Sequence, residues 1–219
     1  MKRNIIISFI FLSFCAFGCS HNMRITNLED HFNAPASPPK ETMRVGVVSG
    51  DGRDMQKSRY ISCIVNSLKT SGAFERVIYP YNHSKHNDVV DVIVNLSVSP
   101  SYVGSGSNFF VNWPGFLIFA PAIWGYGYKA DIETMANISY SDNGNSQTIS
   151  IPTKYTFRQA EFDRTWTELG WLEVGIIPLI GGFVFIQYDP DVTDEFITKV
   201  SHSYGTCVAN KILEAIYVN

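Results

Sequence analysis

"YKADIETMANISYSDNGNSQTISIPTKYTF", residues Tyr128 to Phe157, alternates apolar and polar side chains on both sides of a turn. Ala130, Ile132, Thr134, Ala136 and Ile138 fall on one side, with Asp131, Glu133 and Asn137 on the other. Successive side chains of a strand point to opposite faces, so this is a strand with one buried and one wet face. "SDNGN" interrupts it with Asn143-Gly144, a pair that accepts the positive φ angles of a tight hairpin turn. Ile149, Ile151, Tyr155 and Phe157 resume the alternation on the return strand. A hairpin alone is marginally stable in water, so its apolar face requires further layers.

Those layers are legible on either side. Upstream, "MRVGVVSG" predicts a β-branched strand around Val45, Val47 and Val48. "MQKSRYISCIVNSLKTSG" predicts a helix, because Ile61, Ile64, Val65 and Leu68 recur at helical spacing before Gly72 stops it. "ERVIYP" and "DVVDVIVNLSVSP" predict two more strands. Downstream, "DPDVTDEFITKVSHSYGTCVANKILEAIYV" predicts a final helix capped by Asp191 or Thr193, with Phe196, Val200, Tyr204, Cys207 and Ile212 on its apolar face. This order predicts an α+β domain over 43–219: a single mixed or antiparallel sheet with two helices packed on one face.

Two apolar, aromatic-rich inserts interrupt that order, at about 104–128 and 165–189. The first contains "NFFVNWPGFLIFAPAIWGYGYK", the second "WLEVGIIPLIGGFVFIQY". A spanning helix needs ~20 apolar residues and an unbroken hydrogen-bond ladder. Pro114, Gly115, Pro121, Gly125 and Gly127 break the first insert, and Pro178, Gly181 and Gly182 break the short second one. Two readings remain open. The inserts cover the open face of the sheet and complete the core, or part of them stays exposed and docks on a partner, another copy or the bilayer interface. Trp113, Phe116, Phe119, Trp124, Phe183 and Phe185 are the candidate interface or pocket residues, being of the types that anchor such contacts. Gly104 to Ser107 read as a flexible hinge into the first insert.

The N-terminus reads as an address. Lys2 and Arg3 precede an apolar run from Ile5 to Phe17, in the range of a signal peptide over 1–18. Ala16-Phe17-Gly18 then offers small residues for a cut immediately before Cys19. Residues 19–42 include Pro35, Pro38 and Pro39, show no sustained periodicity and read as a flexible tether.

Composition excludes several functions. The chain has 17 Lys+Arg against 20 Asp+Glu, and loss of Lys2 and Arg3 leaves 15 against 20, a net charge of −5. A mildly acidic chain without a basic block lacks the footprint of nucleic-acid binding. Cys63 and Cys207, one in each predicted helix, form a candidate disulfide in an oxidising compartment, the other reading being two buried thiols. "SGDGRD" lacks both phosphate-loop spacings and reads as a capped turn. His83, His86 and His202 lie outside any metalloenzyme pattern, and Glu168 and Glu173 have no predicted common target. No catalytic residue, metal or cofactor is expected, and the chain reads as a non-enzyme.

Ala16-Phe17-Gly18-Cys19 resembles a bacterial lipobox, with Ala16 where Leu is usual and Phe17 bulky for its place. The resemblance implies that Cys19 becomes the first residue and carries fatty acyl chains such as palmitate. It also implies that Ser20, which is not the Asp of inner-membrane retention, permits transfer to the outer membrane. In element order alone, 43–218 resembles the α/β domains of the curli-secretion lipoprotein and the PelC-type exopolysaccharide lipoproteins, which assemble into rings. These resemblances imply a lipid-anchored, periplasm-facing outer-membrane protein, a structural or accessory part of an envelope assembly or export system. It would meet other envelope proteins or copies of itself. The alternative is a periplasmic binding module for a lipid, glycan or peptide, using an aromatic pocket.

Overall fold

The computed structural model describes residues 22–27, 43–50, 54–82, 90–112, 115, 120–142, 144–160 and 187–217. In chain order the elements are β1 (Asn22–Ile25), β2 (Met43–Ser49), α1 (Met55–Thr70), β3 (Phe74–Ile78), β4 (Val92–Gly104), α2 (Asn108–Asn112) and α3 (Ala120–Ile123). They continue with β5 (Tyr126–Tyr140), β6 (Ser146–Ala160), a 3-10 turn (Pro190–Val192) and α4 (Thr193–Tyr217). The strands form one sheet in the order β1-β6-β5-β4-β2-β3.

The sheet is mixed. β2 runs parallel to both β3 and β4, with Val45 opposite Val77 and Val92. β5 and β6 form the expected hairpin, closed by the Tyr140 N–H donating to the Asn145 carbonyl at 2.9 Å with Gly144 at φ 67°. β4 lies antiparallel to β5, because the Ser105 N–H reaches the Gly127 carbonyl and the Ser141 N–H reaches the Asp91 carbonyl. The alternation is realised: Ala130, Ile132, Thr134, Ala136 and Ile138 are buried, while Asp131, Glu133 and Asn137 are exposed.

The chain divides into two compact units. The first, here the core unit, comprises Ile25–Tyr102, Lys129–Thr156 and Pro190–Asn219. The second, the insert unit, comprises Met1–Arg24, Val103–Tyr128 and Phe157–Asp189.

Within the core unit, α1 starts where the Asp54 side chain accepts from the N–H groups of Gln56 and Lys57. That satisfies donors which the first helical turn leaves unpaired. Asp54 of "SGDGRD" is thus a cap. Gly72, at φ 69°, turns the chain out of the helix. Tyr60, Ile61, Ile64, Val65 and Leu68 are buried on one stripe of α1, each large side chain contributing ~1.5–3 kcal/mol on transfer from water. α4 crosses α1 closely at Gly205, where a Cβ would stand 2.5 Å from the Cys63 carbonyl oxygen and 2.7 Å from Ser67 Oγ. Both helices meet the same face of the sheet, through Tyr60 to Tyr102 of β4 and Tyr204 to Thr134 of β5.

Three local expectations change. Within the stretch read as tether, Asn22–Ile25 form β1 beside β6. A four-residue strand with only Met23 buried is too short to leave a periodicity. Gly104 to Ser107 are not a loose hinge: Gly104 ends β4, Ser105 and Ser107 bond through their hydroxyls at 2.8 Å, and Asn108 N–H bonds the Ser105 carbonyl at 3.0 Å. The Cys63–Cys207 bridge is not formed, and both residues are free thiols. Gly205 is the position that abuts Cys63, and two residues are ~200° of turn on a helix, so Cys207 points away from that contact.

Candidate functional site

Two groups of side chains call for an explanation beyond simple apolar packing. In the core unit, two polar contacts sit beneath the helices. Tyr60 and Tyr102 share a hydroxyl hydrogen bond of 2.7 Å, and Tyr204 and Thr134 share another of 2.7 Å. Phe196 meets Tyr102 and Tyr155 edge-on, and Tyr60 meets Tyr204 the same way. Burial pushes the Tyr155 and Tyr204 phenols well above their ordinary range, and for Tyr204 the hydrogen bond to Thr134 offsets this only in part. Such phenols stay protonated and serve as structural donors and acceptors. Burial also raises the Cys63 thiol, against the opposing charge of Arg59, and raises the Cys207 thiol against Lys211. Neither thiol is activated, because a reactive cysteine requires a depressed pKa.

A shallow groove lies between α1 and α4, lined by Met55, Arg59, Cys63, Ile197 and Ser201. Arg59 is engaged there, bonding Asp194 and donating to Thr198 Oγ1 at 2.9 Å. Among the described residues no cluster of His, Cys, Asp or Glu could hold a metal ion, and no helix is long and apolar enough to cross a membrane.

The insert unit is built differently. Asn108, fully buried, brackets Gly127: its Nδ2 donates to the Gly127 carbonyl at 2.9 Å, and its Oδ1 accepts from the Gly127 N–H at 2.6 Å. A side-chain amide thereby imitates a neighbouring strand and secures the start of β5. The Tyr126 hydroxyl donates to Asn112 Oδ1 at 3.3 Å. Buried Gly115 joins the two short helices, since a Cβ there would stand 2.5 Å from the Phe110 carbonyl oxygen and 2.8 Å from Ala120 Cβ. Gly125, at φ 70°, ends α3 and passes against β6, where a Cβ would meet the Gln159 carbonyl oxygen at 2.5 Å.

This scaffold holds apolar side chains outward. Phe110 is 68% exposed, Ile123 62%, Trp124 53% and Val103 47%. The other large hydrophobics exposed among the described residues are Met55 and Met135, in the core unit. Of the predicted interface residues, Trp124 is therefore exposed, and Trp113, Phe116, Phe119, Phe183 and Phe185 lie outside the described residues. So do Cys19 with the whole leader, His83, His86, Glu168 and Glu173. Sequence reasoning missed Phe110 and Ile123, which an unbroken apolar run does not distinguish from core. It also missed Asn108, whose only signal was a polar residue opening that run.

No protein-family model matches the chain, and no curated protein matches it. Among solved structures it is similar to a single-residue variant of the PelC dodecamer from Paraburkholderia phytofirmans, at 10% identity and TM-score 0.30, covering 85% of this chain and 98% of that one. It is also similar to a minor lipoprotein from Acinetobacter baumannii, at 10% identity and TM-score 0.30, covering 74% of this chain and 93% of the other.

Proposed function

We propose that the protein is a non-catalytic, lipid-anchored envelope component, a structural or accessory part of an outer-membrane assembly or export system. The observation that carries this reading is the outward display of Phe110, Ile123 and Trp124 on a purpose-built, hydrogen-bonded scaffold. Isolated exposed apolar side chains are ordinary, but three on two adjoining helical turns make a contact surface. The Ala16-Phe17-Gly18-Cys19 leader end supplies the address. The buried titratable groups support a non-enzymatic role, since phenols and thiols alike are held toward their neutral forms. The test is the detergent-corrected mass of the purified mature protein by light scattering, alone and with envelope extract. A discrete species heavier than one chain supports an assembly component. A monomer that recruits nothing and retains a small ligand contradicts it in favour of the binding module.

A further inference from the structure

We propose that Phe110, Ile123 and Trp124 seat the insert unit on the surface of a lipid bilayer. The proposal rests on the lipid anchor read at Cys19, and it assigns the exposed surface to one occupant.

The first support is chain length. Asn22 opens β1 only three residues after Cys19. Three extended residues reach no more than ~11 Å. A lipid on Cys19 would therefore hold the start of β1 at the membrane, not at the end of a long tether.

The second is location. The Thr26 N–H donates to the Thr156 carbonyl and the Asn27 side chain bonds Lys154 and Thr156, so β1 runs antiparallel to β6. Asn22 thus lies toward the Gln159–Ala160 end of β6. That is the end on which Gly125 packs, immediately after Ile123 and Trp124. Gly115 in turn lies between the Phe110 carbonyl and Ala120, since a Cβ there would stand 2.5 Å from the one and 2.8 Å from the other, so α2 adjoins the start of α3. The residue nearest the anchor and the exposed apolar side chains share one end of one compact unit.

The third is chemistry. Trp and Phe prefer the boundary between headgroups and acyl chains. Apolar burial, not charge, is the attraction: beyond the leader the unit's sequence carries Arg24, Arg158 and Arg164 against Glu161, Asp163, Glu168, Glu173 and Asp189.

The experiment uses the leaderless mature chain, 19–219, carrying Cys19→Ala so that no acyl chain contributes. Its partition onto vesicles is measured by co-sedimentation, using phosphatidylethanolamine with a minority of phosphatidylglycerol, and phosphatidylcholine alone. The expected result is binding to both. It should fall at least tenfold with Phe110→Ser, Ile123→Ser and Trp124→Ser combined, and by roughly threefold with Trp124→Ser alone. Met135→Ser, exposed in the core unit, should leave binding unchanged. Absence of binding by the parent chain, or equal binding by the triple variant, overturns the proposal. So does a parent oligomer in buffer that the triple variant reduces to monomer without any vesicle binding, which would make the surface a contact between copies. If the triple variant misfolds by circular dichroism, the single Trp124→Ser substitution decides in its place: a threefold loss supports the proposal and unchanged binding overturns it. Failure of the anchor reading is separate: it is seen in the mass of the native N-terminal peptide, which vesicle binding does not involve.

Discussion

The core unit and the insert unit solve opposite problems with similar residues. Tyr60, Tyr155, Tyr204 and Phe196 are fully enclosed, and the Tyr60 and Tyr204 hydroxyls are hydrogen-bonded to Tyr102 and Thr134. Phe110, Ile123 and Trp124 are left outside, while the polar residue Asn108 is the one enclosed. Burying an amide costs free energy unless its hydrogen bonds are made, and Asn108 makes two. Aromatic content alone therefore says little about role. What differs is which side of the scaffold the aromatic residue is held on.

Alkaline titration strikes this contrast hardest. The folded phenols of Tyr102, Tyr155 and Tyr204 are raised above the unfolded value of about 10. Above that value the unfolded chain loses protons that the folded chain retains, so stability falls as pH rises. Below pH ~10 this contribution is fully present. The phenolate absorbance that Tyr155→Phe and Tyr204→Phe remove from the parent's titration should therefore be the part that appears together with loss of helical dichroism. If those substitutions instead remove signal seen while the protein is still folded, the enclosed cluster is contradicted.

Gly205→Val should cost about 3 kcal/mol in urea midpoint, because the new side chain meets the Cys63 backbone where α1 and α4 cross. A cost under ~0.5 kcal/mol would mean the helices do not cross there. Asn108→Ala removes both bonds to Gly127 and should cost ~2 kcal/mol locally. Hydrogen exchange should rise at Ser105 and over 108–112 and 126–128, with the amides of α1 and α4 unchanged. Tyr204→Phe leaves Thr134 without its partner and should cost ~1–2 kcal/mol, and adding Thr134→Val should recover part of it. Phe110→Ser should change global stability by no more than ~0.5 kcal/mol, as expected for an exposed side chain. A larger loss would return Phe110 to the core.

Much of the core unit was legible in the sequence. Residues 130–138 alternate, and Ile61, Ile64, Val65 and Leu68 recur at helical spacing, because each element buries one face. The Asp54 cap and the hairpin turn at Gly144 are local chemistry and read just as directly. β1 was not legible, since one buried residue in four makes no pattern. Phe110 and Ile123 were not either: in an apolar run every position resembles core, and only three-dimensional packing decides which side chains remain outside. The Cys63–Cys207 expectation rested on helix membership, but pairing depends on rotation about each helix axis, which placing two cysteines in helices does not fix.

The most direct test is the mass of the N-terminal peptide of the mature protein purified from membranes. A peptide beginning at Cys19 and carrying acyl chains is the predicted result, and it would place the start of β1 at the bilayer. An unmodified Cys19, or a chain beginning elsewhere, would contradict the anchored role from which the insert unit takes its meaning.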